Sequence, residues 1–203
     1  MYHKNNLCDN CFIDNEILKR SLYQMNPQEK NTYVKKQITK ALIDLMKKKK
    51  IADISISEIC DKAQVGRASF YRNYDSKEEV VERYINMLIG DWAIGIDNDP
   101  SANIYNFFQS LFQHFQKNSV FYKSLYRQNL SFLILNSIRN RLGISSDLEA
   151  STLYSRAFNA YGIFGWIDVW FGNGMKETPE ELNNIIVDHI NRLIQGAKAI
   201  EKL

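Results

Sequence analysis

The sequence predicts an all-α protein: an N-terminal three-helix unit containing a helix-turn-helix, followed by a C-terminal helical bundle. Three observations carry this. Apolar residues recur at helical spacing, as in Val34, Ile38, Leu42, Leu45 and Met46. Capping signatures open successive segments: Ser55 with Glu58, Ser76 with Glu79, and Thr178-Pro179 with Glu181. No segment alternates convincingly between apolar and polar residues, and there is no Asn-Gly hairpin signal.

The elements follow in order. Residues 1–30 are polar and weakly periodic, with a short helix expected over 13–25 that Pro27 would end; they read as an extension. Residues 31–79 form the helix-turn-helix unit. Its first helix runs from Thr32 to the Lys run at 47–50, where cations suit the negative helix end. That run reads chiefly as a solvated terminus, with phosphate contact the alternative. The second helix is ISEICDKA, behind the Ser55 cap. Gln64-Val65-Gly66 makes a turn, and a short third helix runs from Arg67 to about Asn73. Residues 80–203 form the C-terminal domain, entered by a helix from the Ser76 cap to about Ile94. Further helices are expected at 102–117, 119–128, 130–142, 147–172 and 179–198. Gly172 and Gly174 can stop the fourth of these.

Composition narrows the function. The chain has 203 residues, 45% of them apolar, and a net charge of only +3. From Asn31 to Gly90 twelve Lys/Arg face eight Asp/Glu, whereas the remainder carries fourteen against fifteen. The excess positive charge therefore lies in one window, which suggests a local anion-facing surface. The opening MYHKNNLCDNCF lacks an apolar signal core, and no run approaches a membrane span of ~18 apolar residues. The chain is read as cytoplasmic, with no membrane partner. Three cysteines do not make a disulfide framework. Cys8 and Cys11, with His3 nearby, have the spacing of a metal knuckle but no second ligand pair. They are read as incidental thiols, and no metal or cofactor is expected. No phosphate loop, HExxH or GxSxG signature appears, so no enzyme is expected.

The stretch VGRASFYRNYDSKEE, Val65 to Glu79, is the most informative. Ala68 and Ser69 are small enough to let a helix backbone approach base edges. Phe70 and Val65 can bury beneath. Arg67 and Arg72 can reach phosphates or guanine edges, and Tyr71 can donate its hydroxyl to a phosphate. Lys77 sits at a helix N-terminus that already favours an anion. From Thr32 to about Leu88 the chain resembles the N-terminal domain of TetR-family transcriptional regulators, carried by AQVGRASFYRNYDSKEE. In this chain Gln64 replaces the usual turn Gly, Gly66 the usual capping Ser, and Tyr74 a buried Phe. The resemblance implies that Arg67, Ala68, Ser69, Tyr71, Arg72, Asn73 and Lys77 face DNA, with Tyr71 and Lys77 on phosphates.

Sixteen of the 25 aromatics lie between Tyr105 and Phe171. Such concentration fits a bundle that encloses an apolar cavity or buries a broad partner surface. Phe112, Phe115, Tyr126, Phe158, Asn159, Tyr161 and Trp166 are the candidates for lining an effector pocket. The segment GIFGWIDVWFGNGMKETPEEL resembles the C-terminal region of a Gly/Trp-rich subset of TetR-like regulators that includes coactivators. The family implies a homodimer through the last two helices, with Leu153, Ala157, Phe164, Ile186, His189, Ile190 and Leu193 as interface candidates. The expected function is a regulator, in first reading a repressor, that binds a palindromic DNA operator as a dimer and responds to a small effector. The alternative is a coactivator on the same fold that binds a partner protein.

Overall fold

The computed structural model describes residues 25–200, with side chains through residue 196. Among these residues there are nine α-helices, one short 3-10 turn and no strand. The all-α expectation holds.

Helix α1 (Pro27–Met46) begins earlier than expected. Asn26 caps it through a full capping box: its side chain accepts the Glu29 N–H at 2.9 Å, and Glu29 accepts the Asn26 N–H at 2.8 Å. Pro27, read from sequence as the end of an upstream helix, instead occupies the first turn, where its missing N–H costs nothing. The upstream helix itself lies outside the described residues apart from Met25. A 3-10 turn (Ile51–Asp53) leads to α2 (Ile56–Ala63), α3 (Arg67–Tyr71) and α4 (Lys77–Asp97).

The core of this unit is built by the apolar stripes the periodicity indicated. Ile38, Leu42 and Met46 of α1 meet Ile59 and Cys60 of α2, Phe70 of α3, and Val80, Val81 and Ile85 of α4. Phe70 is fully buried. A side chain of that size contributes ~1.5–3 kcal/mol by leaving water. Tyr74 is also buried; its hydroxyl lies 3.5 Å from Thr39 Oγ1, and the Arg83 guanidinium sits 5.2 Å from its ring centroid.

Beyond α4 the C-terminal part of the chain continues through α5 (Ile104–Lys117), α6 (Ser119–Arg127), α7 (Phe132–Arg141), α8 (Ala150–Gly172) and α9 (Pro179–Ile200). Helix α9 packs along α5, while α7 lies between α4 and α8. Buried Asn183 fixes the first pair: it donates to the Tyr105 carbonyl at 2.7 Å and accepts the Gln109 N–H at 3.1 Å. Thr178 and Glu181 complete the expected capping box at the start of α9. At the end of α8 the chain turns through positive φ at Gly174 (79°) and Met175 (60°), and the Met175 N–H returns to the Trp170 carbonyl.

Candidate nucleic-acid interface

The helix-turn-helix is held by local hydrogen bonds and one non-local clamp. Ser55 accepts the Glu58 N–H at 3.1 Å and so caps α2. The expected return contact is absent, because the Glu58 carboxylate pairs with Lys49 at 2.6 Å. At α4 the Ser76 cap forms, but Glu79 reaches back to the Asp75 N–H, one residue beyond the cap. That bond, then the Arg83 guanidinium, holds the Glu79 carboxyl below its ordinary range.

Between α2 and α3 the chain reverses at Gln64, in the left-handed region at φ 55°, ψ 42°. The Gln64 N–H donates to Asp61, and the Val65 N–H reaches the Cys60 carbonyl. These bonds satisfy carbonyls that the helix end leaves free. Gly66 then sits at the N-cap of α3 without a side-chain cap bond.

The short α3 divides its residues sharply. Phe70 points into the core. Arg67, Ala68, Tyr71 and Arg72 are exposed, Tyr71 at 59%. The Tyr71 ring packs edge-on against Phe70 at 5.6 Å, which orients it while leaving its hydroxyl outside. Among the described residues neither Arg67 nor Arg72 has an ion-pair partner. Two uncompensated guanidinium groups and a phenol thus share one small surface. Asn73 is half-buried, and its amide donates to the Ser69 carbonyl at 2.8 Å, closing the helix. Below this surface, burial pushes the Cys60 thiol up, against the smaller opposing effect of Arg67. The expected apolar face of α2 therefore holds a protonated thiol.

Lys77 departs from the sequence reading. Its ammonium donates to the carbonyls of Ile51, Ala52 and Ile54. The Ile51 carbonyl also accepts the Ile54 N–H at 3.1 Å, and Lys77 is the cation beside all three. Its charge is turned inward, where it ties the start of α2 to the start of α4, and not outward toward a phosphate.

A cleft of about 460 Å³ beside α3 was not visible in the sequence. It is lined by Pro27, Gln28, Lys30 and Asn31 of α1 and by Ser69, Arg72 and Asn73. The Asn-Pro-x-Glu capping signal at 26–29 was the clue: it starts α1 early enough to place polar residues beside Arg72.

The effector candidates do not line one cavity. Phe112 and Phe115 are fully buried, packing on Trp170 at 5.1 Å and Tyr122 at 4.5 Å. Tyr126 stacks on Phe171 at 4.8 Å, and Trp166 meets Phe108 edge-on at 5.0 Å. Phe158, Asn159 and Tyr161 are instead exposed on the outer side of α8. The aromatics mostly fill the bundle; a cavity of about 70 Å³ remains among Trp92, Phe107, Leu111, Phe115 and Ile163. The interface candidates also divide. Ile186 is buried in its own core, and Leu153, Ala157, Phe164 and Ile190 are half-buried. His189 and Leu193 are exposed. The large apolar side chains that α8 leaves exposed are Tyr154, Phe158, Tyr161 and Val169.

A three-helix unit with an exposed Arg/Tyr helix, joined to a separate helical domain, defines the class of helix-turn-helix transcriptional regulators. Residues 38–84 match the model for bacterial regulatory proteins of the tetR family, and residues 102–192 match the model for a transcriptional regulator C-terminal region of TetR type. The chain belongs to the TetR family. Solved structures share the fold. Lin0861 from Listeria innocua is 17% identical with a TM-score of 0.65, over 83% of this chain and 95% of that one. A TetR transcriptional regulator from Streptococcus agalactiae is also 17% identical with a TM-score of 0.57, over 80% and 96%. The dihydroxyacetone kinase operon activator DhaS is 22% identical with a TM-score of 0.50, over 80% and 96%. Comparison with curated proteins finds no match.

Proposed function

We propose that the protein binds a palindromic operator as a homodimer and acts as an effector-responsive repressor. The observation that carries the reading is the exposed group Arg67, Tyr71 and Arg72, with neither guanidinium neutralised among the described residues. Ala68 and Ser69 bring the backbone of α3 to base edges. Arg67 reads bases, while Tyr71 and Arg72 hold phosphates. Asn73 shapes the end of α3, and Lys77 supports the unit from inside. Dimerisation is supported by apolar side chains left in water on the last two helices: Tyr154, Phe158 and Val169 on α8, Ile185 and Leu193 on α9. A second copy that covers this stripe places two recognition helices about 34 Å apart, one turn of DNA.

The effector site is proposed in the bundle of the second domain. The 70 Å³ cavity is far below the ~300–1,000 Å³ of small-molecule sites, so an effector acts by selecting a more open arrangement of α5, α7 and α8. The coactivator reading is kept because the exposed aromatics Tyr154 and Phe158 also suit a partner protein.

Selection from random duplex pools at two salt concentrations tests the reading. Enrichment of a palindrome with steep salt dependence supports the operator-binding dimer. Weak, sequence-independent binding favours the coactivator, and the search then turns to a protein partner of the α8–α9 face.

A further inference from the structure

A groove of about 740 Å³ runs between α1 and α4, on the flank of the first domain and away from the bundle proposed for the effector. Its wall on α1 extends from Thr32 to Lys47, about 22 Å at 1.5 Å per residue. Ile43, Tyr84 and Met87 supply apolar surface. Met87 is half exposed, which places a flexible thioether in water where a charged residue would be more usual.

The charge around that floor is lopsided. The lining cations are Lys35, Lys36, Lys40, Lys47 and Arg83, against the single acid Asp44. Lys47 pairs with Asp44 at 2.7 Å, and Arg83 with Glu79 at 2.6 Å. Lys35, Lys36 and Lys40 have no ion-pair partner among the described residues. Three ammonium groups outside any ion pair, of which Lys40 acts on Asp44 only at longer range, thus border an apolar floor on one helix. A phosphate backbone would use the cations and leave the floor wet; a neutral apolar molecule would use the floor and leave the cations idle. An anionic head on an apolar chain uses both.

We propose that this groove binds a monomeric single-chain amphipathic anion, with its carboxylate or phosphate head among Lys35, Lys36 and Lys40 and its chain over Ile43, Tyr84 and Met87. The volume falls within the range of small-molecule sites. Tyr74, at the end of the recognition unit, also lines the groove, so an occupant touches the segment that follows α3.

The test uses the full chain with methyl-labelled methionine and dodecanoate below its micelle concentration, read by methyl NMR. A saturable shift of the Met87 resonance, assigned through Met87→Leu, is expected. Lys36→Glu with Lys40→Glu weakens dodecanoate at least about tenfold, or about 1.4 kcal/mol. The half-exposed Met87 also permits Met87→Asp, checked for folding by thermal melting, which abolishes binding by placing a like charge on the floor. Equal affinity for 1-dodecanol overturns the proposal, as does binding indifferent to the lysine reversals or a response confined to Met175 in the second domain. A groove that ignores monomeric dodecanoate but takes up anionic vesicles or an acidic amphipathic peptide belongs to a different occupant, and that result also overturns it.

Discussion

The side-chain oxygen of Gln128 accepts the backbone N–H of Ile51 at 2.6 Å, which joins the end of α6 to the turn between α1 and α2. The carbonyl of the same Ile51 accepts from Lys77. One buried residue is therefore held from the second domain on one side and from α4 on the other.

Gln128→Ala leaves the Ile51 N–H without its acceptor. The expected loss is ~1–3 kcal/mol. In a chain of this size that lowers the melting temperature by about 2–4 °C per kcal/mol. Gln128→Glu retains an acceptor and restores most of the stability. Thermal melting of the three proteins decides; equal values would mean that water satisfies the N–H as well as Gln128 does.

Lys77 and Arg72 separate two ways of losing DNA binding. Lys77→Met removes the ammonium shared by three carbonyls, of which only that of Ile51 keeps a backbone donor, from Ile54, and destabilises the fold by ~1–3 kcal/mol, with little change in the salt slope of operator binding. Arg72→Ala leaves stability within ~0.5 kcal/mol and reduces the salt slope by about one. The opposite pattern at Lys77, intact stability with a shallower slope, would return that residue to the phosphates.

Gln64 holds a positive φ of 55° that side chains other than Gly rarely adopt. Gln64→Gly should stabilise the protein by ~1 kcal/mol by relieving that conformation, in part offset by the greater freedom of the unfolded chain. Denaturant titration measures the difference. A loss of stability would show that the bonds around the turn leave no strain to relieve.

His114 gives a pH signature. Burial, and then the Lys117 charge, lowers its pKa from 6.5 to about 4. Its Nε2 lies within hydrogen-bond distance of the Tyr122 hydroxyl, at 2.9 Å, and burial raises the pKa of that phenol so that it keeps its proton. Between these two values the unfolded chain binds a proton that the folded chain does not. Stability is thus unaffected by this group above pH 6.5 and falls as the pH drops from there toward 4. The slope it contributes approaches ~1.4 kcal/mol per pH unit. Unfolding free energies measured from pH 7 to 4.5 for the wild type and His114→Gln check this; parallel curves would show that another group carries the acid sensitivity.

The all-α class, the helix-turn-helix and the buried Phe70 were legible because they follow from local spacing. A cap acts over three or four residues, and an amphipathic stripe repeats every turn. The turn at Gln64-Val65-Gly66 was likewise legible between two capped helices, and the resemblance marked Gln64 as the position of the usual turn Gly. What the sequence alone determined is this series of helices and the basic, aromatic face of α3. Tertiary structure decided which face of α8 meets the core, because a helix apolar on more than one face offers no single preferred stripe to its periodicity; Phe158 and Tyr161 lie outside and Ile167 inside. It also decided the partner of Lys77, since carbonyls more than 20 residues away in the chain become its neighbours only after α2 and α4 have packed.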